Sequence, residues 1–191
     1  MDRFQYQTYV IRRKVLKLVG GAFHVYDPQG QVIFFSELKA FKLKEDIRLY
    51  SGEDKREELL TIKARKIIDI ASTYDVVDAT NGQKVGALKR RGLKSVLRDE
   101  WAILDATDRE IGKIQEESMF VALLRRFLSN LIPQHFKAEM NGTQVASYDQ
   151  NFNPFVLKLT VDLSRDKAKK FDRRLALAAG ILLCAIEGRQ G

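Results

Sequence analysis

Most of the chain alternates between apolar and polar side chains. Leu60, Ile62 and Ala64 are interleaved with Thr61, Lys63 and Arg65, and Phe155, Leu157, Leu159 and Val161 with Lys158 and Thr160. An apolar residue at every second position describes a strand with one buried face. Phe4–Ile11, Phe23–Tyr26, Ile47–Tyr50, His135–Met140 and Thr143–Asp149 read the same way. Val32–Lys44 is a longer extended run whose parity changes. Val32, Phe34, Leu38 and Ala40 are even, Phe41 and Leu43 odd, which predicts a bulge or bend.

Two stretches follow the helical period instead. Phe120, Leu124, Phe127 and Leu131 form one stripe, with Arg125, Arg126 and Ser129 outside it. Glu116–Ser118 can start this helix, and Pro133 stops it. The second stretch, Leu175–Ile186, carries no charged or strongly polar side chain. A helix apolar all round must be surrounded. At ~1.5 Å per residue these twelve residues cover only ~18 Å, against the ~30 Å of a bilayer core. Lys167, Lys169, Lys170, Arg173 and Arg174 stand before it and Glu187 and Arg189 after it. The expected place is therefore inside the protein, with no transmembrane segment. Ser164 is the expected N-cap, with Asp166 in the first turn. Gly180 is expected where a side chain would clash.

A turn pattern recurs. Val77–Gly86 (VDATNGQKVG) is echoed by Leu104–Gly112 (LDATDREIG), and more loosely by Tyr26–Val32 and Met140–Val145. Each is an apolar residue, a turn opened by Asp or Asn, and a new strand, so the repeats are antiparallel hairpins. About twelve strands and one wholly apolar helix have a joint solution. The fold class is mainly β, a closed antiparallel barrel around the C-terminal helix, with one short amphipathic helix outside. A twelve-stranded barrel is too wide for its own side chains to fill, and the helix supplies the missing volume.

The 191 residues fit a single domain over 1–191. The one cysteine, Cys184, lies in the core helix and reads as a buried, inert thiol. The N-terminal MDRFQYQTYVIRRK has no apolar signal region, which makes a cytoplasmic protein the expectation. The formal net charge of +8 favours phosphate-bearing partners, whether nucleic acid or the anionic face of a membrane.

Catalytic chemistry finds no foothold. His24 and His135 sit in no zinc spacing, and no phosphate-binding loop, dinucleotide fingerprint or nucleophile elbow is present. No catalytic residue, metal or cofactor is assigned. Asp105, Asp108 and Glu110 read as turn formers and solvated charges, and Trp101 as core. The candidate site is the basic run Lys89-Arg90-Arg91-Gly92-Leu93-Lys94, four cations in six residues. It reads either as an anion-binding loop or as a solvated hairpin tip. Lys63 and Arg65 extend the patch if their strand is adjacent.

Phe23–Asp27, Lys42–Asp46, Ile62–Arg65, Tyr74–Asp78, Phe152–Phe155 and Asp172–Leu175, in that order and followed by the apolar helix, resemble the LURP-one-related and phospholipid scramblase-like family. That group shares its fold with the C-terminal domain of tubby proteins. The resemblance implies a closed twelve-stranded barrel around a C-terminal helix. Tubby domains bind phosphoinositide head groups through a basic, apolar, basic triplet after an Ile-Gly. The matching stretch is Val85–Lys89, where Lys89 keeps one base and Ala87 replaces the other; Arg90, Arg91, Lys94 and Arg98 follow. Of the acid-rich calcium segment of scramblases only Asp162 matches, and Ser164 stands where a second Asp would be.

The functional expectation is a non-enzymatic cytosolic module, peripheral at the membrane, docking on anionic phospholipid head groups or another phosphate-bearing ligand. The alternatives are scramblase-like lipid translocation, or binding to nucleic acid or a regulatory protein. Nucleic acid is the weaker of the phosphate-bearing partners, because the basic stretches lack interleaved aromatics for base stacking.

Overall fold

The computed structural model describes residues 3–14, 21–38, 46–65, 72–91, 100–117, 133–151 and 156–186. Twelve strands run in order: β1 (Thr8–Lys14), β2 (Gly21–Tyr26), β3 (Val32–Leu38), β4 (Asp46–Tyr50), β5 (Glu58–Ala64), β6 (Thr73–Asp78), β7 (Lys84–Arg91), β8 (Glu100–Leu104), β9 (Glu110–Glu116), β10 (His135–Met140), β11 (Thr143–Gln150) and β12 (Val156–Asp162). One helix, α1 (Arg173–Ile186), follows. Each strand pairs antiparallel with its neighbours in sequence, and β1 pairs with β12 to close the barrel.

Alternation sets which way each strand faces. In β12, Leu157, Leu159 and Val161 are buried while Val156, Lys158, Thr160 and Asp162 are half-buried. The hairpin turns are built as the repeats predict. Asp27 Oδ1 accepts the N–H groups of Gln29 and Gln31 at 3.0 and 2.8 Å. Asp105 Oδ1 accepts those of Thr107 and Arg109 at 2.8 and 3.0 Å. Asn141 and Gly142, with φ of 49° and 73°, make the two-residue β10–β11 turn, in which both central residues need positive φ. Register shifts sit next to these turns, between Val76 and Val77 and between Ile103 and Leu104 among others.

The helix fills the barrel. Every residue from Leu175 to Ile186 is buried. The fit depends on missing side chains. A Cβ at Gly180 would lie 2.7 Å from Ile11 Cδ1 and 2.9 Å from Val161 Cγ2. A Cβ at Gly86 would press on the Leu104 carbonyl and approach Leu175 Cδ1 to 2.8 Å. Few polar groups reach the rod. Tyr148 Oη donates to the Ala176 carbonyl at 3.1 Å, and Arg13 Nη1 to the Cys184 carbonyl at 3.2 Å near the helix C-terminus. Burial pushes the Cys184 thiol above its ordinary range, only partly offset by Arg13, as expected of an inert thiol. Trp101 is 2% exposed and belongs to the core.

Several boundaries differ from the sequence expectation. The N-cap of α1 is Asp172, not Ser164: Asp172 Oδ1 accepts the Arg174 N–H at 2.8 Å. Asp166 lies outside the helix and organises the segment before it, accepting from the N–H groups of Lys170 and Phe171 and from Arg173. Ser164, Asp166 and Asp172 all stand between β12 and the helix and offer the same capping chemistry, so the local sequence does not single out the cap. Glu116 ends β9 and pairs with Phe136 rather than opening a helix. The rest of the expected amphipathic helix, and the parity change after Leu38, lie outside the described residues. β1 starts at Thr8, not Phe4, while Phe155, the expected start of β12, lies outside the described residues.

Gly86→Ala is expected to destabilise the protein by about 1–3 kcal/mol, because backbone rather than a flexible side-chain end opposes the new carbon. A lowered urea midpoint with an unchanged slope is the readout.

Candidate anion-binding surface

Three of the candidate cations lie in β7, and the inward residues fix their directions. Leu88 is core, as are Trp101 and Ile103 on β8. Ala87, Lys89 and Arg91 therefore face outward, as do Ala102 and Leu104. Lys89, Arg90 and Arg91 belong to strand β7 rather than to a loop or hairpin tip. Arg90 takes the inward side near the barrel end, where it is half-buried and its N–H donates to Ser72 O at 3.0 Å. Lys94, with Arg98, lies outside the described residues.

The expected link from β7 to Lys63 and Arg65 is interrupted. Strand β6 stands between β5 and β7, with Asp75 opposite both Lys63 and Ala87. Acids then consume much of the positive charge. Arg65 Nη2 donates to Asp75 Oδ1 at 2.6 Å and also to Asp108. Lys84 Nζ donates to the same two carboxylates at 3.2 and 2.7 Å. Arg91 pairs with Glu100 at 2.9 Å and with Glu110. This network runs over the outer face from β5 to the β8–β9 turn. Within that stretch of wall, Ala87, Ala102 and Leu104 form a small outward apolar cluster that is also buried.

The sequence pattern reads Asp105, Asp108 and Glu110 as turn formers and solvated charges. Asp105 is a turn former, and chiefly the Thr107 hydroxyl holds its carboxyl down at about 2. Asp108 and Glu110 instead reach across strands. Sequence did place them in the hairpin beside β7, but not which basic side chains they would meet. Burial pushes the Asp75 carboxyl upward, yet the hydrogen bonds from Arg65 and Lys84 outweigh it and leave it below the ordinary range. Lys84 and Arg65 hold Asp108 down as well.

Of the five candidates that are described, two stay uncommitted. Lys63 and Lys89 are exposed and make no ion pair among the described residues. They stand two strands apart, at ~4.8 Å per strand, with Asp75 and Thr73 between them.

Elsewhere, an open cavity of about 440 Å³ lies at the start of α1, lined by Phe4, Asp78, Lys169, Phe171, Arg173 and Arg174 among others. Its arginines are engaged, Arg173 by Asp166 at 2.9 Å and Arg174 by Asp78 at 2.7 Å. His24 and His135 each meet one carboxylate, Glu53 at 2.7 Å and Asp149 at 2.9 Å. Among the described residues, no three His, Cys, Asp or Glu side chains gather as a metal site, and no helix is long and apolar enough to cross a membrane. The chain matches no known protein-family model and no curated protein.

The network makes a pH prediction. Asp75 and Asp108 have folded-state values below the ordinary 3.8. Their contribution is therefore complete above the unfolded value and is lost as pH falls through the folded ones. Thermal melting followed from pH 6 downward should show a smaller acid-induced loss in Asp75→Asn than in the wild type, although the variant starts lower at neutral pH.

Proposed function

We propose that the protein is a non-enzymatic binding module of the LURP-one-related and scramblase-like kind, which docks peripherally on anionic phospholipid head groups from the cytosol. The reading rests on Lys63 and Lys89, exposed on one wall and without a carboxylate partner among the described residues, where Arg65, Lys84 and Arg91 are all engaged. Lysine ammonium groups of this kind act as mobile point charges, suited to a fluid array of phosphates rather than to one fixed ligand. The net charge of +8 supports the same reading by drawing the chain toward an anionic surface. The barrel agrees with the fold that the resemblance implies. The engaged arginines set a limit: this wall attracts a surface by a few charges, not by a dense basic patch.

Co-sedimentation with phosphatidylserine-containing vesicles is the test. Each lysine near an anionic surface contributes about 1 kcal/mol, so Lys63→Gln with Lys89→Gln should weaken binding roughly 30-fold. Asp108→Asn, which frees Arg65 and Lys84 from one acid, should strengthen it. Equal binding to vesicles of phosphatidylcholine alone, or binding indifferent to salt, would reject the proposal.

A further inference from the structure

The opposite wall carries a different arrangement of cations. Lys158 of β12 stands directly across the ladder from Arg12 of β1. Arg12 in turn stands across from His24 of β2. Asn151 continues the row on the other side, its N–H donating to the Lys158 carbonyl at 3.0 Å. The sequence neighbours Ile11, Leu157, Leu159, Phe23 and Val25 are all core, so Lys158, Arg12 and His24 face outward.

Two like charges directly opposite in an antiparallel pair have Cβ atoms only ~5 Å apart and repel. A carboxylate would ordinarily stand between them. Here neither Arg12 nor Lys158 makes an ion pair or a side-chain hydrogen bond among the described residues. Acids on neighbouring elements are already committed. Asp149 accepts from His135 and Ser147 at 2.9 and 2.8 Å, Asp162 from the Ser164 N–H at 2.8 Å, and Glu53 meets His24 at 2.7 Å.

Arg12 also rests on an aromatic neighbour. The Arg12 guanidinium lies over the Tyr26 ring, 4.7 Å from its centroid. This cation–π contact draws the guanidinium onto the ring, and its side-chain N–H groups make no hydrogen bond among the described residues. The His24 ring is held by Glu53 and packs edge-on against Phe35 at 5.3 Å. A guanidinium fork beside an ammonium group, with the repulsion unrelieved among the described residues, suits an anion with several acceptor oxygens.

We propose that Arg12 and Lys158 form a phosphate-binding site that takes a phosphomonoester group, flanked by Asn151 and His24. The guanidinium edge donates two parallel hydrogen bonds to the phosphate and the ammonium donates a third, and the anion cancels the cross-strand repulsion. In the closed barrel β1 and β7 are six strands apart in either direction. A flat membrane against the Lys63–Lys89 wall therefore leaves this site facing away, and it does not depend on the docking reading above.

The experiment is an amide chemical-shift titration of the full chain with inorganic phosphate, matched in ionic strength against chloride. Saturable shifts centred on residues 12, 24 and 158 are expected. Arg12→Gln and Lys158→Gln should each weaken binding at least ten-fold, while Lys158→Arg and the Lys63→Gln, Lys89→Gln pair leave it within two-fold. In the absence of phosphate, neither Gln variant should melt below the wild type. Shifts that follow ionic strength alone, or that survive both Gln variants, or a lowered melting point in both, would overturn the site. Vesicles containing phosphatidic acid separate the sources. If both Gln variants lose sedimentation as well as phosphate binding, the ligand is a lipid head group. If they lose only phosphate binding, it is a soluble phosphomonoester.

Discussion

The structure is governed by a helix that has no polar side to show. Residues 175–186 must be enclosed, and only a wall continuous around the whole circumference encloses a rod. Twelve strands closed into a barrel provide that wall and leave no open sheet edge. The fit is then set locally by Gly86 and Gly180, where the rod comes closest to the strands. The polar anchors are few and serve alignment. Asp172 caps one end, Arg13 reaches a carbonyl near the other, and the Tyr148 hydroxyl meets the Ala176 carbonyl between them.

Charge is distributed on the outside by a second rule. Basic side chains are abundant, but their effect depends on which acids the strand register delivers to them. On β5–β9, Asp75, Asp108, Glu100 and Glu110 absorb Arg65, Lys84 and Arg91. On β12–β1 no such acid arrives among the described residues, and Lys158 and Arg12 stand opposite one another. Net charge is the same number in both descriptions; what differs is the potential each wall presents.

What could be read in advance follows from the range of the interactions. The hairpins were legible because an Asp that accepts its own turn's N–H groups, as Asp27 and Asp105 do, needs only a few consecutive residues. The buried helix was legible because an unbroken apolar stretch admits few environments, and the need for Gly180 followed from it. The cap at Asp172 was missed because several residues before the helix offered the same side-chain chemistry. The fate of the basic run was not legible at all. Arg65 and Asp108 are far apart in sequence, and only the register of four strands brings them together. Arg12 and Lys158 meet only because the first strand closes on the last, and nothing local to either announces it.

That closure also orders events during synthesis. Strands β1 to β11 leave the ribosome before the partner that seals the seam, and α1 follows that partner. Until then the nascent hairpins have no central rod to pack against, so their apolar faces stay uncovered and β1 keeps one edge unpaired. Such a topology folds slowly, and its intermediates leave apolar faces uncovered until the seam is made.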